Sequence, residues 1–409
     1  MSSSTENNLS MFNFTTLWFG AAISVAEILA GGLLAPLGFK MGLLAILLGH
    51  LVGTTLLVLA GVIGTTERIP ALVSTRISFG SYGSYVFSVL NVLQLLGWTA
   101  VMIIVGARSV NEITKTLWSF DHLTVWSLII GAFIMLWIWL GKDMGWKKAN
   151  NMAVILLFML TMVLSVIIFR NHELFSKIGS GDMPFGLGLE LAVVMPLSWL
   201  PLISDYTRFA KTKRGGAWGS WLGYFFGSCW MYMIGLGAAI VYSNPDPSTM
   251  LLAVNLGLVA LGIIVLATVT TTFLDAYSAG VTLLNIFPKL NEKFVALIMT
   301  AIGTALAIIV NIEGYESFLY AIGSVFAPLF AILLTDYFLL KNKKIQANLL
   351  VNWGTLSLCA LGTMLYYQFI NLNFVLGATI PVMLIISIIH LITWRLTSKW
   401  TFVRKYLQT

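Results

Sequence analysis

The chain has 409 residues, 58% of them hydrophobic and only 10% charged, with a mean hydropathy of +0.91 and a formal net charge of +7. Soluble domains carry about 25% charged residues, so a soluble class is excluded. The basic residues flank the apolar segments, a placement that reads as membrane topology rather than nucleic-acid binding.

A membrane span needs about 20 apolar residues. Twelve stretches meet that length: residues 14–38, 41–64, 83–107, 123–141, 150–169, 188–207, 217–241, 256–286, 294–311, 316–340, 349–369 and 373–394. The opening "MSSSTENNLSMFNF" is short, polar and without a basic n-region, so residues 1–13 read as a tail and not as a signal peptide. The first span, "AAISVAEILAGGLLAPLG", is interrupted by Gly31-Gly32 and Pro36, with Glu27 just before them. The third contains "LNVLQLLGWTAVM", where Gln94 and Trp98 share a helix face at i and i+4. The sixth, "LAVVMPLSWLPLISDYTRFAK", is interrupted by Pro196 and Pro201, with Ser198 and Trp199 between them. Proline deletes a backbone donor and clashes with the preceding turn. Such breaks persist in a membrane only where protein or a wet cavity satisfies the freed groups.

The eighth span holds "LATVTTTFLDAYSAG", with four threonines and one acid, Asp275. A charge near the middle of a membrane helix costs about 2.5–3.5 kcal/mol even on the lenient insertion scale. Thr271, Asp275 and Ser278 fall on one face, adjoined by Ala267 and Thr270. Oxygen ligands of this kind suit a hard cation such as sodium. Glu27 and Asp275 are the deep acids, and no Lys or Arg lies at comparable depth in any span. They are expected to be protonated, bonded to neutral groups, or facing a ligand or ion. Two indoles, an amide and two carboxyls suit a flat, nitrogen-rich solute. The other acids have plainer expectations. Asp205 and Asp336 read as interfacial anchors or partners of Arg208 and Lys341, and Glu190 as a solvated helix N-terminus.

With the N-terminus inside, eighteen of the 23 Lys and Arg fall on the cytoplasmic side, among them Arg68, Arg76, Lys142, Arg208 and Lys341. Both termini are therefore expected in the cytoplasm and the chain in the cell (inner) membrane. Two breaks five helices apart match inverted-repeat transporters, which put the substrate and ion site between the halves. The break positions put the expected repeats over 14–169 and 188–340 (together 14–340), followed by two spans within 349–394 and a tail over 395–409. A channel has no charged ring or filter-like loop to support it. A membrane enzyme has only scattered histidines, His50, His122, His172 and His390.

"ISDYTRFAK" closing the sixth span, "AIGSVFAPLFAILLTDYFLL" in the tenth, and the twelve-helix count resemble the nucleobase:cation symporter-1 family over nearly the whole chain. "ISVAEILAGGLLAPLGFKMGLLAILLGH", "RISFGSYGSY" and "LQLLGWTAVMI" look most like its hydroxymethylpyrimidine permease branch, with cytosine permeases nearer than hydantoin transporters. The resemblance implies an all-α polytopic fold. It has two inverted five-helix repeats with broken first and sixth helices plus two additional helices, alternating access and sodium coupling. It puts a sodium site on carbonyls at Gly20, Ser24 and Ala267 and on the hydroxyls of Thr270 and Thr271. It stacks the base on Trp98, with Trp199 a few positions from the sixth-helix aromatic of the family. Asp275 stands where relatives carry Asn, and Glu27 where a cytosine permease has a small hydroxyl residue. Both departures weigh against cytosine and admit a proton as an alternative coupling ion.

The expected function is import of a pyrimidine-type base, first of all the thiamine precursor hydroxymethylpyrimidine, with cytosine, a purine or a hydantoin as the alternative. The expected substrate residues are Glu27, Gln94, Trp98, Ser198, Trp199 and Asp275. The expected partners are the small heteroaromatic substrate and the lipid bilayer, with no nucleic acid and no obligate protein partner.

Overall fold

A computed structural model describes residues 9–140, 144–243, 257–310 and 314–407. Lys142, the first eight residues of the N-terminal tail, residue 256 of the eighth expected span and the last two residues of the chain lie outside them. The described residues are almost wholly helical, with isolated bridges at Leu9–Ala210 and Gly38–Ile178. In order the helices are α1 (Met11–Ala22), α2 (Val25–Gly32), α3 (Gly38–Glu67), α4 (Ala71–Ser74), α5 (Arg76–Phe79), α6 (Gly83–Trp118), α7 (Leu123–Leu140) and α8 (Met144–Phe169). They continue with α9 (Phe185–Leu197), α10 (Leu200–Thr207), α11 (Lys213–Tyr242), α12 (Gly257–Leu284), α13 (Glu292–Ile309), α14 (Tyr315–Leu334), α15 (Trp353–Asn371) and α16 (Thr379–Leu407).

Among the described residues, ten helices are long and apolar enough to cross a membrane, against the twelve expected. Two physical reasons account for the difference. The first span is cut, so α1, with 12 residues, rises only about 18 Å, and its second half runs on with α3 as one stretch, Val25–Glu67. The helix α15 carries Tyr366, Tyr367, Gln368 and Asn371 in its last turns, which dilute its apolar character.

The breaks decide the interior. In the sixth span α9 gives way to α10 at Ser198–Trp199, between the two prolines as expected. The first span is interrupted twice: after Gly32, where α2 ends and a turn with Pro36 leads into α3 as expected, and also earlier, at Ile23–Ser24, which was not expected. There Ile23 adopts φ −79° and ψ 85°, close to an inverse γ-turn, and the Ser24 N–H donates to the Ala22 carbonyl at 3.0 Å. Ser24 then caps α2, its Oγ accepting the Glu27 N–H at 3.3 Å. The glycines have a further task. A Cβ on Gly31 would overlap the Tyr232 backbone, and one on Gly235 the Ile28 carbonyl, so α2 and α11 lie backbone to backbone. Pro36 sits in the 3-10 turn that leads into α3.

Burial sorts the helices into layers. α9 and α10 are buried along almost their whole length, enclosed by α3, α14 and the α1–α2 pair packed on α11. α6 packs against α12, α13 and α7. Outward faces carry rows of exposed apolar side chains, such as Leu44, Leu47, Leu48 and Leu51 on α3, and Leu384, Ile388 and Ile392 on α16. Faces of that kind match the hydrocarbon of a bilayer.

Three acids sit differently from their expected roles. Glu190 is fully buried rather than solvated. It accepts from Tyr366 Oη at 2.7 Å, Thr379 Oγ1 at 2.6 Å, and the Ala378 and Thr379 N–H groups at 2.7 and 2.9 Å. It therefore ties α9 to α15 and to the N-terminus of α16. The Asp205 carboxyl accepts from the Ala71 N–H at 3.0 Å, at the start of α4, while Arg208 Nε donates to the Asp205 backbone carbonyl at 3.2 Å. Asp336 pairs with His390 at 3.0 Å and not with Lys341.

The candidate substrate and ion site

The breaks at Ile23–Ser24 in the first span and Ser198–Trp199 in the sixth open onto one central cavity. The first contributes Ala21, Ser24, Ala26 and Glu27, and the sixth contributes Met195, Ser198, Trp199 and Leu202. α6 adds Trp98 and Met102, and α12 adds Thr271 and Asp275. The walls stand close together in this conformation, leaving room for about one or two waters between them. Among the described residues no Lys or Arg lines the cavity. Five of the six expected substrate residues thus share one wall-to-wall space: Glu27, Trp98, Ser198, Trp199 and Asp275.

Gln94, the sixth, stands just behind the wall. Pro201 and the turn at Trp199 redirect the backbone, so the Leu202 N–H bonds to the Trp199 carbonyl and leaves the Ser198 carbonyl free of its helical partner. Gln94 Nε2 donates to that carbonyl at 2.9 Å and to Asn91 Oδ1 at 3.0 Å. Its amide therefore satisfies the broken helix, while Gln94 Oε1 is buried without a partner.

The two deep acids differ in kind. Glu27 Oε1 accepts from Tyr224 Oη at 3.0 Å and Oε2 from Ser228 Oγ at 2.6 Å, so both oxygens are engaged by α11. Asp275 is only 6% exposed, and among the described residues no hydrogen bond reaches its carboxyl. Its side chain borders the cavity. One turn further along α12, Tyr206 Oη and Ser278 Oγ approach to 3.4 Å, and residues further along again, among them Val281, Thr282 and Asn285, line a second, larger cavity. That second cavity, toward the end that bears Arg76 and Arg208, is also lined by Asp205 and Glu292.

The indoles stand as walls. Trp98 meets Tyr315 and Phe318 edge-on at 6.1 and 5.4 Å, and Trp199 meets Trp18 edge-on at 5.6 Å. Tyr315 Oη also donates to the Ala26 carbonyl at 3.3 Å, so α14 leans on α2 beside the cavity. Edge-on neighbours fix each ring while leaving a face for a planar ligand.

Of the expected cation ligands, Ser24 and Thr271 face the same cavity across the break. The Ser24 hydroxyl caps α2, and the Gly20 carbonyl loses its usual helical donor because the Ser24 N–H turns back to Ala22. Thr270 Oγ1 donates to the Ala267 carbonyl at 3.1 Å, leaving its lone pairs open. The neighbouring Thr272 donates to Thr268 in its own helix at 2.7 Å, so part of the threonine run only satisfies the backbone.

Tyr224, Ser228 and His50, which surround Glu27, were not expected in a site. Their signal was legible: Tyr224 and Ser228 are i and i+4 in "GYFFGSCW", a polar face on an apolar helix. Met102, Met195 and Leu202 supply apolar wall, and nothing in an apolar span marks such residues out.

Residues 3–388 match the family model for permeases of cytosine/purines, uracil, thiamine and allantoin. The chain is 24% identical to the hydantoin permease of Microbacterium maritypicum over 411 residues, covering 91% of this chain and 84% of that one. It is 23% identical to the cytosine permease of Escherichia coli (strain K12) over 372 residues, covering 85% and 83%. These identities do not rank cytosine permeases above hydantoin permeases as relatives. Among solved structures, it superposes on the inward-facing conformation of Mhp1 with a TM-score of 0.81 at 21% identity, covering 96% of this chain and 92% of that one. The closed conformation of Mhp1 with bromovinylhydantoin bound gives a TM-score of 0.80 at 22% identity, covering 96% and 94%. At these identities the structural likeness fixes the fold alone.

Proposed function

The chain belongs to the family of permeases for cytosine/purines, uracil, thiamine and allantoin, the nucleobase:cation symporter-1 family, and on that premise we propose that it imports an aminopyrimidine, hydroxymethylpyrimidine first. The observation that carries this reading is the enclosed, unpartnered carboxyl of Asp275 in a cavity that also holds Glu27 and, among the described residues, no cationic side chain. Such a wall favours a ligand rich in N–H donors. An aminopyrimidine offers an exocyclic amine that donates to a carboxyl oxygen, and a protonated carboxyl also donates its O–H to the adjacent ring nitrogen. Trp98 is the stacking platform, Trp199 and Ser198 border the opposite side, and Gln94 acts from behind the wall by holding the Ser198 carbonyl. Cytosine, a purine or a hydantoin is the alternative substrate.

Sodium is the proposed coupling ion, held by the Gly20 and Ala267 carbonyls and the Thr270 and Thr271 hydroxyls. It would tie the broken first span to α12. An ion that binds one conformation better than the other shifts the population toward it, which is coupling by differential affinity. The second cavity is the proposed exit, and Tyr206 with Ser278 the contact that opens to reach it. On this reading that end faces the cytoplasm of a cell-membrane protein with both termini inside.

Uptake of labelled hydroxymethylpyrimidine into vesicles, in sodium and in choline, tests the proposal. Saturable, sodium-stimulated uptake that unlabelled hydroxymethylpyrimidine blocks better than cytosine or hydantoin supports it. Better competition by another base replaces the substrate, and equal uptake in choline removes sodium.

A further inference from the structure

Behind Glu27 lies a buried histidine that the transport reading does not use. His50 is fully enclosed on α3. Its Nδ1 lies 2.9 Å from the Ile46 carbonyl and its Nε2 lies 2.6 Å from Ser228 Oγ. Ser228 Oγ is in turn 2.6 Å from Glu27 Oε2. A carbonyl only accepts, so Nδ1 carries a hydrogen. A neutral ring then leaves Nε2 as an acceptor, and an ionised Glu27 is an acceptor too. Ser228 has one hydroxyl hydrogen and cannot donate to both. Two short contacts on one hydroxyl need one more proton.

That proton has two places. It can sit on Glu27, whose O–H donates to Ser228 Oγ while the Ser228 hydrogen goes to His50 Nε2. Alternatively it can sit on His50, whose Nε2–H donates to Ser228 Oγ while the Ser228 hydrogen goes to Glu27. Each arrangement holds three hydrogens on Glu27, Ser228 and the two ring nitrogens, and a paired shift through the hydroxyl interconverts them. With two hydrogens, one of the 2.6 Å contacts sets lone pair against lone pair.

We propose that Glu27, Ser228 and His50 form a proton-binding site against the substrate cavity, with His50 as its inner terminus, and that its occupancy is coupled to transport. Loaded, the site holds Glu27 and the broken α2 against α11. Unloaded, a repulsive contact loosens that hold at the cavity wall. The surroundings keep the proton local. The Tyr232 ring stands edge-on to His50 at 4.7 Å, Tyr224 donates to Glu27 Oε1, and Cys229 and Tyr315 also face Glu27. On the neighbouring α9 and α10, Glu190 and Asp205 are engaged elsewhere by α16 and α4. Among the described residues neither Glu27 nor His50 is in an ion pair with Lys or Arg.

This inference rests on the transporter reading but not on the identity of its base. The test uses proteoliposomes with equal sodium on both sides, the membrane potential clamped, and the interior made alkaline by one pH unit. At one proton per base, the wild type should concentrate hydroxymethylpyrimidine about tenfold. His50→Gln and Ser228→Ala should equilibrate it without concentrating it, while still exchanging labelled for unlabelled base, which shows that each is folded. Tenfold accumulation by either variant overturns the site, as does a wild type that exchanges base but ignores the gradient. If the wild type exchanges no hydroxymethylpyrimidine, the substrate reading falls instead. The proton site is then read without substrate, from the pH titration of the His50 ring by 15N NMR of labelled histidine. Glu27→Gln should move its midpoint by about one pH unit or more, and an unmoved midpoint overturns the site.

Discussion

Asp275→Asn separates the proposed role of this acid from a structural one. Asn keeps the shape and removes the charge. The Asp275 carboxyl receives no hydrogen bond from the described residues, so the change strands no internal donor, and the ligand-free protein should melt no earlier than the wild type. The effect should fall on binding. A hydrogen bond to a charged group is worth about 1.5–3 kcal/mol, and about 1.4 kcal/mol is a factor of ten in affinity. Loss of one such bond therefore weakens hydroxymethylpyrimidine binding about 10- to 150-fold. Isothermal titration of purified protein in saturating sodium measures it. An affinity within about twofold of the wild type removes the acid from recognition. A variant that fails to fold shows instead that Asp275 is a structural group.

Thr271→Ala should weaken the sodium response of uptake and leave sodium-free binding in place, and a full sodium response in this variant removes Thr271 from the ion site. Trp98→Ala should weaken base binding about 2- to 13-fold, from the 0.5–1.5 kcal/mol of an aromatic pair, and unchanged affinity by titration would mean that the indole only packs on Phe318 and Tyr315. Glu190→Ala strands four donors from α15 and α16, at about 1–3 kcal/mol each where they remain buried. Its melting temperature should drop steeply while the base affinity of the folded fraction holds; an unchanged melting temperature refutes the clamp. Gly235→Ala drives a methyl into the Ile28 carbonyl and should cost about 1–3 kcal/mol, read as a lower melting temperature.

The sequence made much of this site legible because a membrane leaves few reasons for a polar side chain at depth. Glu27, Asp275 and Thr271 stood out against apolar spans, and the structure brings all three to one cavity with Trp98 and Trp199. The sixth-span break was visible because two prolines make it. The break at Ile23–Ser24 was not, because a tight turn and a cap form it with no glycine or proline to mark it, whereas Gly31-Gly32 and Pro36 marked the end of α2. Partners distant in the chain were invisible for the same kind of reason. The bonds of Glu190 come from residues near 366 and 379, and those of Glu27 from residues 224 and 228, pairings that only the packed bundle creates.

The central claim is that this cavity takes an aminopyrimidine together with sodium. The direct test is the thermal stability of purified protein with hydroxymethylpyrimidine, cytosine, uracil, hypoxanthine and hydantoin, each in sodium and in choline. A ligand that binds only the folded state raises the melting temperature. The account predicts stabilisation by hydroxymethylpyrimidine above all others, and in sodium more than in choline. Stabilisation by hydantoin or hypoxanthine alone, or an equal shift in choline, would contradict it.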